Sequence, residues 1–85
     1  MRYTVVLKPT AEKQLDRLPM KAKLRIVAAL ETLERNPRPV GCLKLEGAEE
    51  LYRVRVGDHR IIYAIEDKRL QVLVVRIANR KDAYR

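Results

Sequence analysis

Apolar and polar residues alternate with two different periods along the chain, and the change between them falls near Leu43. At the start, Tyr3, Val5 and Leu7 alternate with Thr4, Val6 and Lys8, which predicts a strand over residues 2–8. Pro9-Thr10 ends it, with Thr10 available as a cap for the next element. Ala11, Leu15 and Leu18 then recur at i, i+4 and i+7, one face of a helix over about 10–18 that Pro19 stops. A second helix over about 20–35 carries an apolar stripe of Met20, Leu24, Val27 and Leu30, widened by Ile26 and Leu33. Asn36-Pro37-Arg38-Pro39 terminates it, because proline disfavours the helical conformation in the residue before it.

Beyond Leu43 the period is two. Leu43-Lys44-Leu45 forms a short strand, followed by a turn at Gly47. Leu51–Val56, Arg60–Glu66 and Arg69–Ile77 are predicted strands, joined through Gly57-Asp58 and Asp67-Lys68. The order of strand, helical hairpin and consecutive antiparallel strands defines an α+β domain over residues 1–85, with the helices packed on one face of a small antiparallel sheet.

If Gly57-Asp58 is the whole hairpin loop, Val56 faces His59, Arg55 faces Arg60, Val54 faces Ile61 and Arg53 faces Ile62. Paired residues share a sheet face, so Tyr52, Val54, Val56, Ile61, Tyr63 and Ile65 belong under the helices. Arg53, Arg55 and Arg60 then lie together on the other face. Like charges across a strand pair are destabilising, and three adjoining guanidinium groups call for an anion; Arg suits phosphate because its planar fork offers paired donors. The alternative is a solvated outer face. His59 falls on the helix side in this register and reads as a strand-end histidine rather than a proton shuttle. Tyr84, near the C-terminus with Arg80, Lys81 and Arg85, is either a packing residue or part of the same site.

Composition narrows the partner. The chain has 85 residues, and 19 Lys and Arg against 11 Asp and Glu give a net charge of +8. A field of this sign on so small a body draws polyanions, nucleic acid first. The single cysteine, Cys42, excludes an internal disulfide and a multi-cysteine zinc site, and no cluster of carboxylates joins His59 to suggest a metal. No cofactor is expected. The N-terminus lacks a signal-peptide pattern, and no apolar run approaches the ~20 residues that span a bilayer. These features predict a cytoplasmic protein with no membrane partner.

The segment Leu51-Tyr52-Arg53-Val54-Arg55-Val56-Gly57-Asp58-His59-Arg60-Ile61-Ile62-Tyr63 resembles the central signature of the RelE branch of the RelE/ParE toxin superfamily. Val74-Val75-Arg76-Ile77-Ala78-Asn79-Arg80-Lys81-Asp82-Ala83-Tyr84-Arg85 resembles its C-terminal signature. The resemblance implies a toxin of a type II toxin–antitoxin system that enters the ribosomal A site and cuts mRNA without a metal. The ribose 2′-OH would attack the adjacent phosphorus, leaving a 2′,3′-cyclic phosphate and a free 5′-OH. By position, Arg53 and Arg55 match the basic pair beside the scissile phosphate, and Arg60 the arginine that stabilises the transition state. Arg80 matches the C-terminal arginine assigned to leaving-group or charge stabilisation, and Tyr84 a tyrosine that acts as base or stacks on a nucleobase. Lys81 and Arg85 would add substrate contacts. Where many relatives carry Gly-His before the C-terminal arginine, this chain has Ala78-Asn79, and asparagine does not titrate.

The same resemblance implies an acidic, RelB-like antitoxin as partner, with the ribosome and mRNA as targets and operator DNA reached only through the antitoxin complex. Two other functions fit the superfamily: a ParE-like inhibitor of DNA gyrase, and a non-catalytic member that binds antitoxin and co-represses its operon. The arginine face with Tyr84 favours the nuclease.

Overall fold

A computed structural model describes residues 2–47 and 50–79. Its elements are β1 (Thr4–Leu7), α1 (Pro9–Asp16), α2 (Met20–Arg35), β2 (Leu43–Leu45), β3 (Leu51–Val56), β4 (His59–Glu66) and β5 (Gln71–Asn79), with a 3-10 turn at Asp67–Arg69. The strands form one sheet in the order β1-β5-β4-β3-β2. β2 to β5 pair antiparallel with their neighbours in sequence, while β1 lies parallel to β5 and makes the sheet mixed. The helices carry the chain from β1 at one edge to β2 at the other, so both cover the same face.

That face holds the core: Ala11 of α1, Ile26, Leu30 and Leu33 of α2, and Ile61, Tyr63, Val72, Val74 and Ile77 of the central strands are buried together. Tyr52, Val54, Val56 and Ile65 pack against them, as the hairpin register requires. Each large aliphatic side chain withdrawn from water contributes about 1.5–3 kcal/mol, so β4 and β5, which supply most of the strand residues in this cluster, are where the sheet is held.

Of the expected α2 stripe Leu30 is buried, with the widening residues Ile26 and Leu33, and the rest of it is turned away from the sheet. Met20, Leu24 and Val27 are 65%, 62% and 37% exposed, whereas Ile26, Leu30 and Leu33 are buried. Both rows satisfy the i, i+4, i+7 spacing, and only packing against the sheet selects between them. Thr10 is not a cap. Helix α1 begins at Pro9, whose missing N–H costs nothing in the first turn, and the capping residue is Lys8, which makes no side-chain cap bond. Helix α1 closes at Asp16, and His59 already belongs to β4.

The segment after α2 is tied to the sheet by polar contacts. The buried Tyr63 hydroxyl donates to the Pro37 carbonyl at 2.8 Å. The Tyr63 ring stacks on Tyr52 with centroids 5.9 Å apart, and the Arg38 guanidinium lies 5.5 Å over Tyr52. Arg38 also grips Asp67 through both Nη atoms, at 3.2 and 2.9 Å, and the Tyr3 hydroxyl donates to the same carboxylate at 2.7 Å. Arg38, and after it Tyr3, hold the Asp67 carboxyl below the usual carboxylate range, and the bond to Asp67 pushes the Tyr3 phenol up. Burial, and then the neighbouring Cys42, push the Tyr63 phenol above its ordinary value. The contacts join β1, β3, β4 and the 3-10 turn at the end of the molecule away from the Gly57-Asp58 hairpin.

Candidate functional site

The β3–β4 pairing is the one that a two-residue loop dictates: Val56 with His59, Arg55 with Arg60, Val54 with Ile61 and Arg53 with Ile62. Gly57 takes φ +59, the left-handed conformation that a tight hairpin loop needs and that side chains other than glycine adopt at a cost. Arg53, Arg55 and Arg60 therefore share the sheet face away from the helices. Arg53 and Arg60 are half-buried and Arg55 is exposed, its Nε 3.4 Å from the Gly57 carbonyl, too long for a strong hydrogen bond.

A fourth guanidinium joins them. Ile62 pairs with Arg76 while Tyr63 pairs with Val74, so Val75 is an extra residue and β5 bulges there. Val72 and Val74 are buried under the helices, and strict alternation would have placed Arg76 beneath them too. The bulge reverses the parity. Arg76 turns to the arginine face, and Ile77 goes into the core at 3% exposure. Reading by alternation missed Arg76 for this reason, although the hydrophobic sequence Val72, Val74, Ile77 carries the parity change itself.

The local backbone is held by α1. Because β1 ends at Leu7, opposite Val74, residues 75–79 have no strand on that edge among the described residues. The Ile77 N–H donates instead to Gln14 Oε1 at 2.8 Å, which satisfies a donor that would otherwise be costly to bury.

Arg53, Arg60 and Arg76 line a shallow cleft of about 160 Å³ whose apolar walls are Leu45, Ile62 and Ala78. The cleft offers planar, permanently charged donors over a low-dielectric floor, suited to a phosphodiester carrying a nucleobase or ribose. Arginine supplies charge and hydrogen bonds here but is a poor proton donor, since its pKa exceeds ~12. His59 lies on the other side of the sheet, paired with Val56 and Asn79. Arg80, Lys81, Tyr84 and Arg85 lie outside the described residues; in sequence they follow Asn79, the last residue of β5.

Known proteins share the sequence pattern and the fold. Residues 5–84 match the family model described as ParE toxin of type II toxin–antitoxin system, parDE. Toxin RelE of Mycobacterium tuberculosis is 36% identical over 84 residues, covering 98% of this chain and 87% of that protein. A chain of the archaeal RelE–RelB complex from Pyrococcus horikoshii OT3 superposes with a TM-score of 0.83 at 32% identity, covering 94% of this chain and 97% of that one. A chain of the RelBE2 toxin–antitoxin complex from Mycobacterium tuberculosis gives 0.82 at 28% identity, covering 94% and 100%.

Proposed function

The chain belongs to the ParE toxin family of type II toxin–antitoxin systems, as a relative of the RelE toxins, and on that premise we propose that residues 1–85 form a ribosome-dependent endoribonuclease that cuts mRNA and inhibits translation. The observation that carries this reading is the gathering of Arg53, Arg55, Arg60 and Arg76 on the open face of the sheet. Guanidinium groups gathered on one sheet face repel one another, and a phosphate among them would offset that repulsion.

In the proposed reaction the 2′-oxygen bonds to the adjacent phosphorus as the bond from phosphorus to the 5′-oxygen breaks. The 2′-OH proton passes to a base and the departing oxygen takes one up, leaving a 2′,3′-cyclic phosphate and a 5′-OH. Arg53 and Arg55 dock and neutralise the scissile phosphate. Arg60, with Arg80, stabilises the charge that develops on the phosphorane, and Arg76 adds a further cation across Ile62. Preorganised donors of this kind are typically worth ~10²–10³ in rate each. Tyr84 acts as base or as a stacking platform, with Lys81 and Arg85 holding flanking phosphates. A phenol titrates near ~10, so it would serve as a base only among cations that lower it. Tyr84→Phe separates the two roles: a fall of about 10² in single-turnover cleavage assigns the hydroxyl to proton transfer, and near-full activity assigns the ring to stacking.

The partner that silences such a toxin is an acidic antitoxin, drawn by the +8 charge, with operator DNA engaged through that complex; the exposed Met20, Leu24 and Val27 give it apolar surface to cover. The family match to ParE favours a second reading, poisoning of DNA gyrase. Induction of the protein without antitoxin decides between them. Cleavage of a translated mRNA, with an untranslated copy of the same transcript left intact, supports the nuclease. Intact mRNA with gyrase-dependent DNA breaks establishes the second reading instead.

A further inference from the structure

Positive charge also gathers on the side of the hairpin opposite the arginine face. A cleft of about 250 Å³ opens between the first turns of α2 and the β3–β4 loop, with Lys21, Arg25, Asp58 and His59 around it and Ala22 and Val56 among its apolar walls. Val56 and His59 form the last pair of the hairpin and face the helices, so this cleft and the arginine cleft lie on opposite sides of the same two strands.

Among the described residues its lysine and arginine form no ion pair. Ion pairs among the described residues join Arg38 to Asp67, Lys44 to Glu50 and Arg69 to Glu66. Asp58, the one carboxylate at the rim among the described residues, is exposed and offsets one of the two charges. The first turn of α2 holds no acidic residue that would offset the other. The Arg25 guanidinium reaches the loop: its Nη1 lies 3.3 Å from the position a Cβ on Gly57 would occupy, so the bare turn leaves room for it there.

We propose that this cleft is a second phosphodiester-binding site, in which Lys21, Arg25 and His59 grip the RNA backbone outside the arginine face. A space of this size takes one anionic group with its immediate neighbours rather than a whole small-molecule ligand, for which pockets run from about 300 Å³ upward. A guanidinium fork beside an ammonium point charge suits the two free oxygens of a phosphodiester. RNA is favoured over an acidic protein because the cleft shares its hairpin with the arginine face, so a single polyanion can meet cations on both sides of the Gly57-Asp58 tip. The inference rests on the proposed function only in naming RNA as the polyanion.

The test is binding of a fluorescent single-stranded RNA to the full chain, without ribosomes, over a series of salt concentrations. Lys21→Gln/Arg25→Gln is compared with Lys13→Gln/Arg17→Gln, which removes the same charge from exposed positions on and just after α1. The cleft variant is expected to bind at least tenfold more weakly. Its log–log salt slope should be shallower by about 0.7, one single-strand phosphate contact, while the control changes less than threefold. Unchanged melting temperatures show that both variants are folded. Equal effects in the two variants, or wild-type affinity in the cleft variant, overturn the proposal. So does a cleft variant that loses affinity for poly-glutamate while keeping it for RNA, which assigns the cleft to an acidic protein. Because free RNA is the probe, a failure of ribosome-dependent cleavage leaves this result standing and is distinguished from it.

Discussion

Replacing Arg55 by glutamine should make the protein more stable and less active, and the opposite signs separate a binding arginine from a structural one. Arg55 sits directly across from Arg60, with Arg53 two residues along the same strand face. Cβ atoms of such a pair are about 4.5–5.5 Å apart. With the guanidinium centres splayed to roughly 7 Å in a water-like dielectric, their repulsion is about 0.6 kcal/mol. The exposed Arg55 side chain gives up little in exchange, since its 3.4 Å approach to the Gly57 carbonyl is at the limit of a hydrogen bond. For a domain of this size 1 kcal/mol shifts Tm by about 4–8 °C, so the variant should melt roughly 2–5 °C higher at low salt. The gain should nearly vanish at 1 M salt, where the screening length is about 3 Å, against about 30 Å at 0.01 M. Thermal melts of both proteins at the two salt concentrations, paired with a cleavage assay, read the whole prediction. A variant that melts lower at both salt concentrations would refute the reasoning, because Arg55 would then be holding the hairpin together.

Three further outcomes follow from the contacts described. Tyr63→Phe keeps the stack on Tyr52 but orphans the buried Pro37 carbonyl, and should cost about 1–1.5 kcal/mol, or roughly 4–12 °C in Tm; an unchanged melting temperature would show that the hydroxyl anchors nothing. Leu33→Ala empties a site at 1% exposure and should cost about 2–5 kcal/mol in denaturant unfolding, whereas Leu24→Ala, at 62% exposure, should be nearly neutral; equal losses would mean that the two rows of α2 are assigned the wrong way round. Asp67 is held below its unfolded pKa of ~3.9, so its contribution is present above that pH and is lost as pH falls through the lower folded value. The Tm difference between wild type and Asp67→Asn should therefore be constant from neutral pH to about 5 and shrink below about 4, and a difference that persists undiminished to pH 2 would show that the Asp67 charge is irrelevant.

The parts of the fold legible in the sequence are those set by short-range rules. A two-residue loop with glycine in the left-handed conformation imposes a register, and that register alone puts Arg53, Arg55 and Arg60 on one face and His59 on the other. Three features were not read: two are decided by longer-range interactions, and the third is marked only by the parity of Val72, Val74 and Ile77. The choice between the Met20-Leu24-Val27 and Ile26-Leu30-Leu33 rows of α2 depends on which one meets the sheet. The parallel pairing of β1 with β5 joins residues nearly seventy positions apart, such as Thr4 and Gln71. The bulge at Val75 moves Arg76 onto the site, and no turn residue announces it. The expectations for Arg80, Lys81, Tyr84 and Arg85 fall outside the described residues, so their place in the site remains a proposal tested by substitution.

The most direct test of the arginine face as a nuclease site uses purified protein and ribosomes programmed with a defined mRNA. In parallel, the same message carries a single 2′-deoxynucleotide on the 5′ side of the cleavage position. If the 2′-OH is the nucleophile and Arg53, Arg55 and Arg60 neutralise the phosphorane, the all-ribose message is cut on the ribosome to a 2′,3′-cyclic phosphate. The deoxy message then stays whole, free mRNA is untouched, and Arg60→Ala slows cutting by about 10²–10³. Cleavage of the deoxy message, or full activity in Arg60→Ala, would contradict it.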